Sequence, residues 1–373
     1  MDSSAAFTPV FCTIIPPHVL DKLARTDDAA LAGTARRTLE HDARERTRRH
    51  LNTLLGPVTA GPPPEAAPDT PQRTVYDAGH HDALPGREVR AEGGKATGDA
   101  SANRAYDALG ATFETYLRAY ARHSIDGQGL PLKASVHYLK DYNNAFWNGE
   151  QMVFGDGDGK VFLDFTLPLD VIGHELTHGV TQYSANLDYQ GQSGALNESV
   201  SDVFGSLIKQ YAEGQTADEA DWLIGAGLLA PGVHGVALRS MKEPGTAYDD
   251  PRLGKDPQPA SMAGYVHTSQ DNGGVHINSG IPNRAFYLAA AAIGGHAWEQ
   301  AGQIWYDTLT GGHLSAQAQF ADFAAATVAA ATARYGEGDQ SRAVQAAWHE
   351  VGVTPAAAPA GLPRQQPGQP QEV

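Results

Sequence analysis

The sequence predicts an α+β protein with a β-containing first half and a helical second half. Three observations carry that expectation. Short apolar segments with period-two alternation fall before residue 170, and helical periodicity fills residues 170–351. A stretch dense in Pro, Gly and Ala also sets the first 55 residues apart from the rest.

In chain order, residues 1–55 read as a separate unit. Ile14-Ile15-Pro16-Pro17-His18-Val19-Leu20 is an apolar segment stiffened by proline, and Asp27 to Leu55 has a helical pattern. That helix is rich in arginine (Arg36, Arg37, Arg44, Arg46, Arg48, Arg49), which reads as a solvated face able to dock on an acidic body. Residues 56–73, including Pro62-Pro63-Pro64, form a linker by composition. Ala102 to Ala121 is an amphipathic helix, with Tyr106, Leu109, Phe113, Tyr116, Leu117 and Tyr120 at helical spacing. Lys133–Tyr138, Met152–Phe154 and Val161–Phe165 read as strands. The turn Gly155-Asp156-Gly157-Asp158-Gly159 is expected to join the last two as a hairpin. It resembles a fragment of a calcium loop but lacks the later acidic ligands. Helices are expected at 170–184, 194–213, 281–294, 298–310, 316–335 and 339–351, the fifth being alanine-rich. Residues 354–373 have a composition expected of a disordered tail.

The net charge of −16, from 43 acidic and 27 basic residues, argues against nucleic acid or an anionic membrane as the main partner. No run approaches 18 apolar residues, so no transmembrane helix is expected. The one cysteine, Cys12, excludes an intramolecular disulfide. Met1-Asp2-Ser3-Ser4 lacks the basic start of an export signal, which leaves the cytoplasm or a route the sequence does not reveal.

His174-Glu175-Leu176-Thr177-His178 fits the H-E-x-x-H pattern. On a helix, residues four apart share a face, so two imidazoles can close on one tetrahedral ion. Catalytic zinc takes three protein ligands and keeps one position open. Glu198, twenty residues after His178 on its own predicted helix, supplies the third ligand. Asp202, one turn later, can accept the free N–H of a ligating imidazole, and Asn197 stands beside Glu198 as a further support. Glu175 is then placed to take a proton from the attacking water and pass one to the leaving amine.

With Glu198 and Asp202, this motif resembles the thermolysin family of neutral metallopeptidases. The resemblance covers most of residues 130–350 and rests on several separated blocks. Asn143-Asn144-Ala145-Phe146-Trp147-Asn148-Gly149 matches an edge-strand motif in which Asn144 and Ala145 hold the substrate backbone. Tyr189 matches the active-site tyrosine, and Asp271-Asn272-Gly273-Gly274-Val275-His276 matches the block carrying the active-site histidine. Arg239 falls where the family has an arginine for a substrate carbonyl. The resemblance implies two catalytic domains, 74–185 with the motif helix and a helical 186–353, with the active-site cleft between them. It implies one catalytic zinc ion. It also implies that Tyr189 and His276 stabilise the carbonyl oxygen's charge, with Asp271 orienting His276. Phe162, Phe165, Val171, Ile224 and Leu238 are candidates by matching position for a hydrophobic pocket after the scissile bond, and each could equally be core. The Pro-Pro-His-Val-Leu segment is similar to the protealysin-like branch, which implies that 1–55 is a propeptide, removed during maturation at a processing site in the linker.

Of the acids at the family's paired calcium site only Asp170 and Asp221 remain, with Lys209, Leu223 and Ala226 where others would stand. That calcium pair is not expected, and the sequence offers no positive sign of another calcium site. His80-His81, His234, His267 and His296 read as solvated. Cys12 could place a thiolate at the open zinc position, or be a small buried apolar side chain. The function expected is a zinc endopeptidase acting on peptide or protein substrates, a monomer held latent by its own propeptide and secreted without a conventional signal. An inactive zinc-binding interaction module is the alternative. An exopeptidase would need an acidic anchor for a free amine, which no motif supplies.

Overall fold

The computed structural model describes residues 13–54 and 69–356, with side chains of 46–54 left aside. Cys12, most of the 56–73 linker and all but the start of the 354–373 tail lie outside the described residues.

The first unit has two helices. Helix α1, Pro17–Leu23, begins on proline, whose missing N–H costs nothing in a first turn, and buries Val19, Leu20 and Leu23. Helix α2 is Ala29–Leu54; the carboxylate of Asp28 caps it by accepting from the N–H groups of Ala30 and Leu31. Leu31, Ala35, Thr38 and Asp42, at three- and four-residue spacing, are the buried side of α2. This corrects the expectation for its arginines: Arg36, Arg37 and Arg44 face outward, and the docked face is apolar with one carboxylate.

The body begins with a five-stranded sheet. Strands β1 (Arg73–Asp77), β2 (Arg87–Ala91), β3 (Leu132–Val136), β4 (Ala145–Trp147) and β5 (Met152–Phe154) lie in the order β2-β1-β3-β5-β4, so β4 is an edge. Helix α3, Ala100–Tyr120, is capped by the Asp99 carboxylate and ends on Ala121 in the left-handed region. The hairpin is β4–β5, and Val161–Phe165 is not a strand; only Phe162 makes an isolated bridge, to Leu229. The reason is local. Asp158 Oδ1 accepts from the N–H groups of Lys160, Val161 and Phe162, which removes two donors a strand would offer to a neighbour.

Helices α4 (Leu169–Gln182) and α5 (Gly191–Glu213) form the centre of the molecule. A β-carbon on Gly173 would lie 2.8 Å from Ile208 Cδ1, and one on Gly205 would lie 2.5 Å from the Asp170 carbonyl oxygen. Glycine at both positions therefore lets the two backbones approach closely. After the short pair β6 (Leu223–Ile224) and β7 (Arg239–Ser240) come α6 (Asp271–Asn278), α7 (Gly280–Ile293), α8 (Ala301–Thr310), α9 (Phe320–Tyr335) and α10 (Asp339–Glu350). Helix α9 starts four residues later than the alanine run suggests, because Gln319 and Asp322 close a capping box at its start. Lys209 on α5 takes a cation's place between two acids, 2.7 Å from Asp221 Oδ2 and 3.4 Å from Asp170 Oδ2.

Candidate active site

The close approach of α4 and α5 brings His174, His178 and Glu198 together in the core, at 0, 2 and 1% exposure. Each imidazole is oriented from behind. His174 Nδ1 lies 2.8 Å from Asp202 Oδ1, and His178 Nδ1 lies 2.8 Å from Asn197 Oδ1. Both oxygens are acceptors, so both Nδ1 atoms carry the proton and both Nε2 atoms keep a lone pair. Those two Nε2 atoms are 3.0 Å apart. Glu198 adds Oε2 at 3.6 Å from His174 Nε2 and Oε1 at 3.5 Å from His178 Nε2. Three electron-pair donors converge here, with ligand atoms all within 4.8 Å of one another. Without a cation between them, two facing lone pairs and a buried carboxylate would be unfavourable. The donor set fits zinc, which takes imidazole nitrogen and carboxylate oxygen in this combination. Burial lowers the His178 pKa to about 3, which keeps it neutral and able to ligate. Burial works against the charge on Glu198, but His276, His178 and His174 outweigh it and hold its pKa near about 2.

Glu175 is fully buried on α4, and its Oε2 accepts the backbone N–H of Trp147 at 3.1 Å. That bond ties the carboxylate to edge strand β4. Tyr189, just before α5, donates its hydroxyl hydrogen to Glu198. The Tyr189 oxygen is 3.3 Å from His276 Nε2. His276 is held in turn by Asp271, whose Oδ1 accepts from Nδ1 at 2.6 Å and whose Oδ2 accepts the His276 backbone N–H at 2.9 Å. This is possible because Asp271, Asn272, Gly273 and Gly274 all take left-handed φ values, +52°, +50°, +86° and +76°. The chain curls so that Asp271 faces its own downstream histidine. A β-carbon on Gly273 would lie 3.1 Å from Gly191 Cα, so this turn also packs tightly on the start of α5. Burial opposes charge on His276, but Asp271 and Glu198 outweigh it and raise its pKa to about 9.

Arg239 on β7 grips Asp202 through Nε and Nη2, both at 2.8 Å. Its Nη1 donates to the carbonyl of Ile14 at 3.3 Å. The N–H of Ile14 donates to the Ala145 carbonyl at 3.2 Å, and the N–H of Ile15 donates to Asn144 Oδ1 at 2.9 Å. The three groups expected to hold a substrate backbone thus hold residues 14 and 15 of the same chain. Ile14 and Ile15 are fully buried and belong to one apolar cluster with Phe162, Phe165, Val171, Ile224 and Leu238.

Several residues at the site escaped the sequence reading. Asp42 on α2 accepts from Asn144 Nδ2 at 2.9 Å and from the Tyr142 hydroxyl at 2.5 Å. His18 Nε2 lies 3.3 Å from the Tyr248 hydroxyl. Asn283 reaches Asp202 from α7. Each pairs groups 100 or more, 230 and 81 residues apart, separations that no local motif encodes.

Comparison with known proteins agrees with this geometry. Residues 67–182 match the family described as thermolysin metallopeptidase, catalytic domain, and residues 185–353 match its alpha-helical domain. An extracellular metalloprotease of Pectobacterium carotovorum subsp. carotovorum is 51% identical over 92% of this chain and 96% of its own length. Thermolysin of Alicyclobacillus acidocaldarius subsp. acidocaldarius is 42% identical over 75% of this chain and 50% of that protein. The solved precursor of protealysin, a metalloproteinase from Serratia proteamaculans, superposes with a TM-score of 0.83 at 52% identity, covering 92% of this chain and 100% of that one.

Proposed function

The chain belongs to the thermolysin family of metallopeptidases, and from that premise we propose how its own residues divide the work. It is a zinc metalloendopeptidase made as a precursor with an N-terminal propeptide. His174, His178 and Glu198 hold the metal, with Asp202 and Asn197 setting the two imidazole tautomers. When bound, zinc supplies a Lewis acid that makes water acidic enough to lose a proton near neutral pH. Glu175 accepts that proton and returns one to the leaving nitrogen. Asn144, the Ala145 carbonyl and Arg239 align the substrate backbone. Tyr189 and His276 donate to the scissile carbonyl oxygen as it gains charge, a contribution of about 3–4 kcal/mol per well-placed donor. Phe162, Phe165, Val171, Ile224 and Leu238 form the apolar wall that favours a bulky hydrophobic residue after the scissile bond.

The observation that carries this reading is the convergence of two imidazole lone pairs and one carboxylate beside Glu175. A peptide blocked at both ends and internally quenched tests it. The matured protein should cleave that peptide, stop on chelation and recover on zinc addition. A protein that binds zinc yet leaves the blocked peptide whole would support the inactive interaction module instead.

The same reading gives the N-terminal unit the part of an intramolecular inhibitor, since Ile14 and Ile15 occupy the backbone-holding groups. Among the described residues no helix is long and apolar enough to cross a membrane, and the comparisons include relatives named extracellular. We infer export by a route without a conventional signal and action as a single chain.

The role given to His276 has a pH signature. Its pKa in the fold is raised above the ordinary histidine value, so the charged, donating form is held through neutral pH and lost as pH rises through about 9. The value of kcat/KM should therefore fall on the alkaline side near that pH. Asp271→Asn removes one of the charges that raise it and should move the fall to lower pH. An alkaline limb that is identical in both proteins would remove His276 from the donor role.

A further inference from the structure

Asp202 is a crowded acceptor. Its Oδ1 takes His174 Nδ1 and Arg239 Nη2, and its Oδ2 takes Arg239 Nε and Asn283 Nδ2, all four at 2.8 Å. These donors are not equivalent. Arg239 also reaches the cleft, where Nη1 meets the Ile14 carbonyl. Its guanidinium is planar and rigid, so a change in what Nη1 binds is transmitted to both bonds with Asp202. His174 is the group whose orientation is at stake. Asn283 alone of the three residues lies away from both the cleft and the metal. It sits in the first turn of α7, fully buried, with its backbone N–H bonded to the Ser279 carbonyl.

The chemistry of the amide points the same way. Asp202 can only accept, so Asn283 must face it with its NH2 group. On the other side, Asn283 Oδ1 meets no donor among the described residues. Burying an amide with one half unsatisfied costs free energy, which makes a merely space-filling role a poor account of this residue. An apolar side chain of similar volume would fill the space without that cost.

We infer that Asn283 is a positioning residue for the metal site: its N–H fixes the plane of the Asp202 carboxylate whatever occupies the cleft, and so keeps His174 in the ligating tautomer and orientation. This deepens the zinc reading above and rests on it.

The test follows zinc rather than turnover. Full-length wild type, Asn283→Leu and Asn283→Ala are loaded with zinc and mixed with excess chromogenic chelator, and the release rate is read. The melting temperature of each metal-free chain is measured alongside. Loss of the donor should speed release by about 10- to 100-fold in both variants, the range found for groups that orient metal ligands. It should do so while the metal-free melting temperatures of wild type and Asn283→Leu stay close. If the leucine variant does not fold, the alanine variant decides by the same release rate. Unchanged release with a lowered metal-free melting temperature means packing alone, and overturns the inference. A wild-type chain that takes up no zinc overturns both this inference and the reading beneath it.

Discussion

Replacing Glu175 with alanine should leave the chain at full length and lower blocked-peptide hydrolysis by about 10²- to 10⁴-fold, the span of a positioned general acid–base group. The metal should stay bound in this variant, because Glu175 is not among the three converging ligands. Its carboxylate is fully buried, and Oε2 is already engaged by the Trp147 N–H, so alanine removes the acid–base group without freeing another carboxylate to replace it. The Trp147 N–H loses an acceptor, which costs about 1–3 kcal/mol of local stability and leaves the rest of the fold in place. Intact mass and zinc content separate this outcome from unfolding. If the variant were processed at the normal rate, maturation would not be self-cleavage. If it hydrolysed the blocked peptide normally, Glu175 would not be the proton carrier.

The parts of the site that were legible in the sequence are those encoded by local spacing or by contiguous blocks. His174 and His178 share a helix face by periodicity alone, and Glu198 with Asp202 repeats that geometry one helix later. Asp271 and His276 are five residues apart and joined by a left-handed turn that two glycines make accessible. Where the reading failed, a tertiary or side-chain bond replaced the expected local one. Asp158 claimed the N–H groups of Val161 and Phe162, and so turned an expected strand into a loop. Helix α2 was judged by its arginines, yet the contact is made by Asp42, whose partners Tyr142 and Asn144 lie a hundred residues on. A buried carboxylate satisfied by neutral donors leaves no charge pattern to detect.

That contact changes how the inhibitory unit is understood. The Asn144 amide is shared: Oδ1 faces Ile15 in the cleft, while Nδ2 is held by Asp42 from α2. One side chain thus links the segment in the cleft with the helix outside it. Docking is then a single cooperative event in which the helix helps set the orientation of the residue that reads the backbone.

The double substitution Ile14→Asp, Ile15→Asp should release this inhibition in the uncleaved chain. Both side chains are fully buried. Burying an isoleucine contributes about 1.5–3 kcal/mol, so losing two weakens docking by roughly 10²- to 10⁴-fold before any charge is counted. The aspartates add to this, because the apolar cluster of Phe162, Phe165, Val171, Ile224 and Leu238 offers a buried carboxylate no cation. The backbone bonds to Ala145, Asn144 and Arg239 do not depend on side-chain identity, so they alone would have to retain the segment. Initial rates on a blocked quenched peptide, normalised to the fraction of intact chain, read the effect. A rise of that size with unaltered zinc content places inhibition in the cleft segment. A double variant as silent as wild type would put it in α2 and Asp42 instead, and Asp42→Ala would then be the substitution that frees the enzyme.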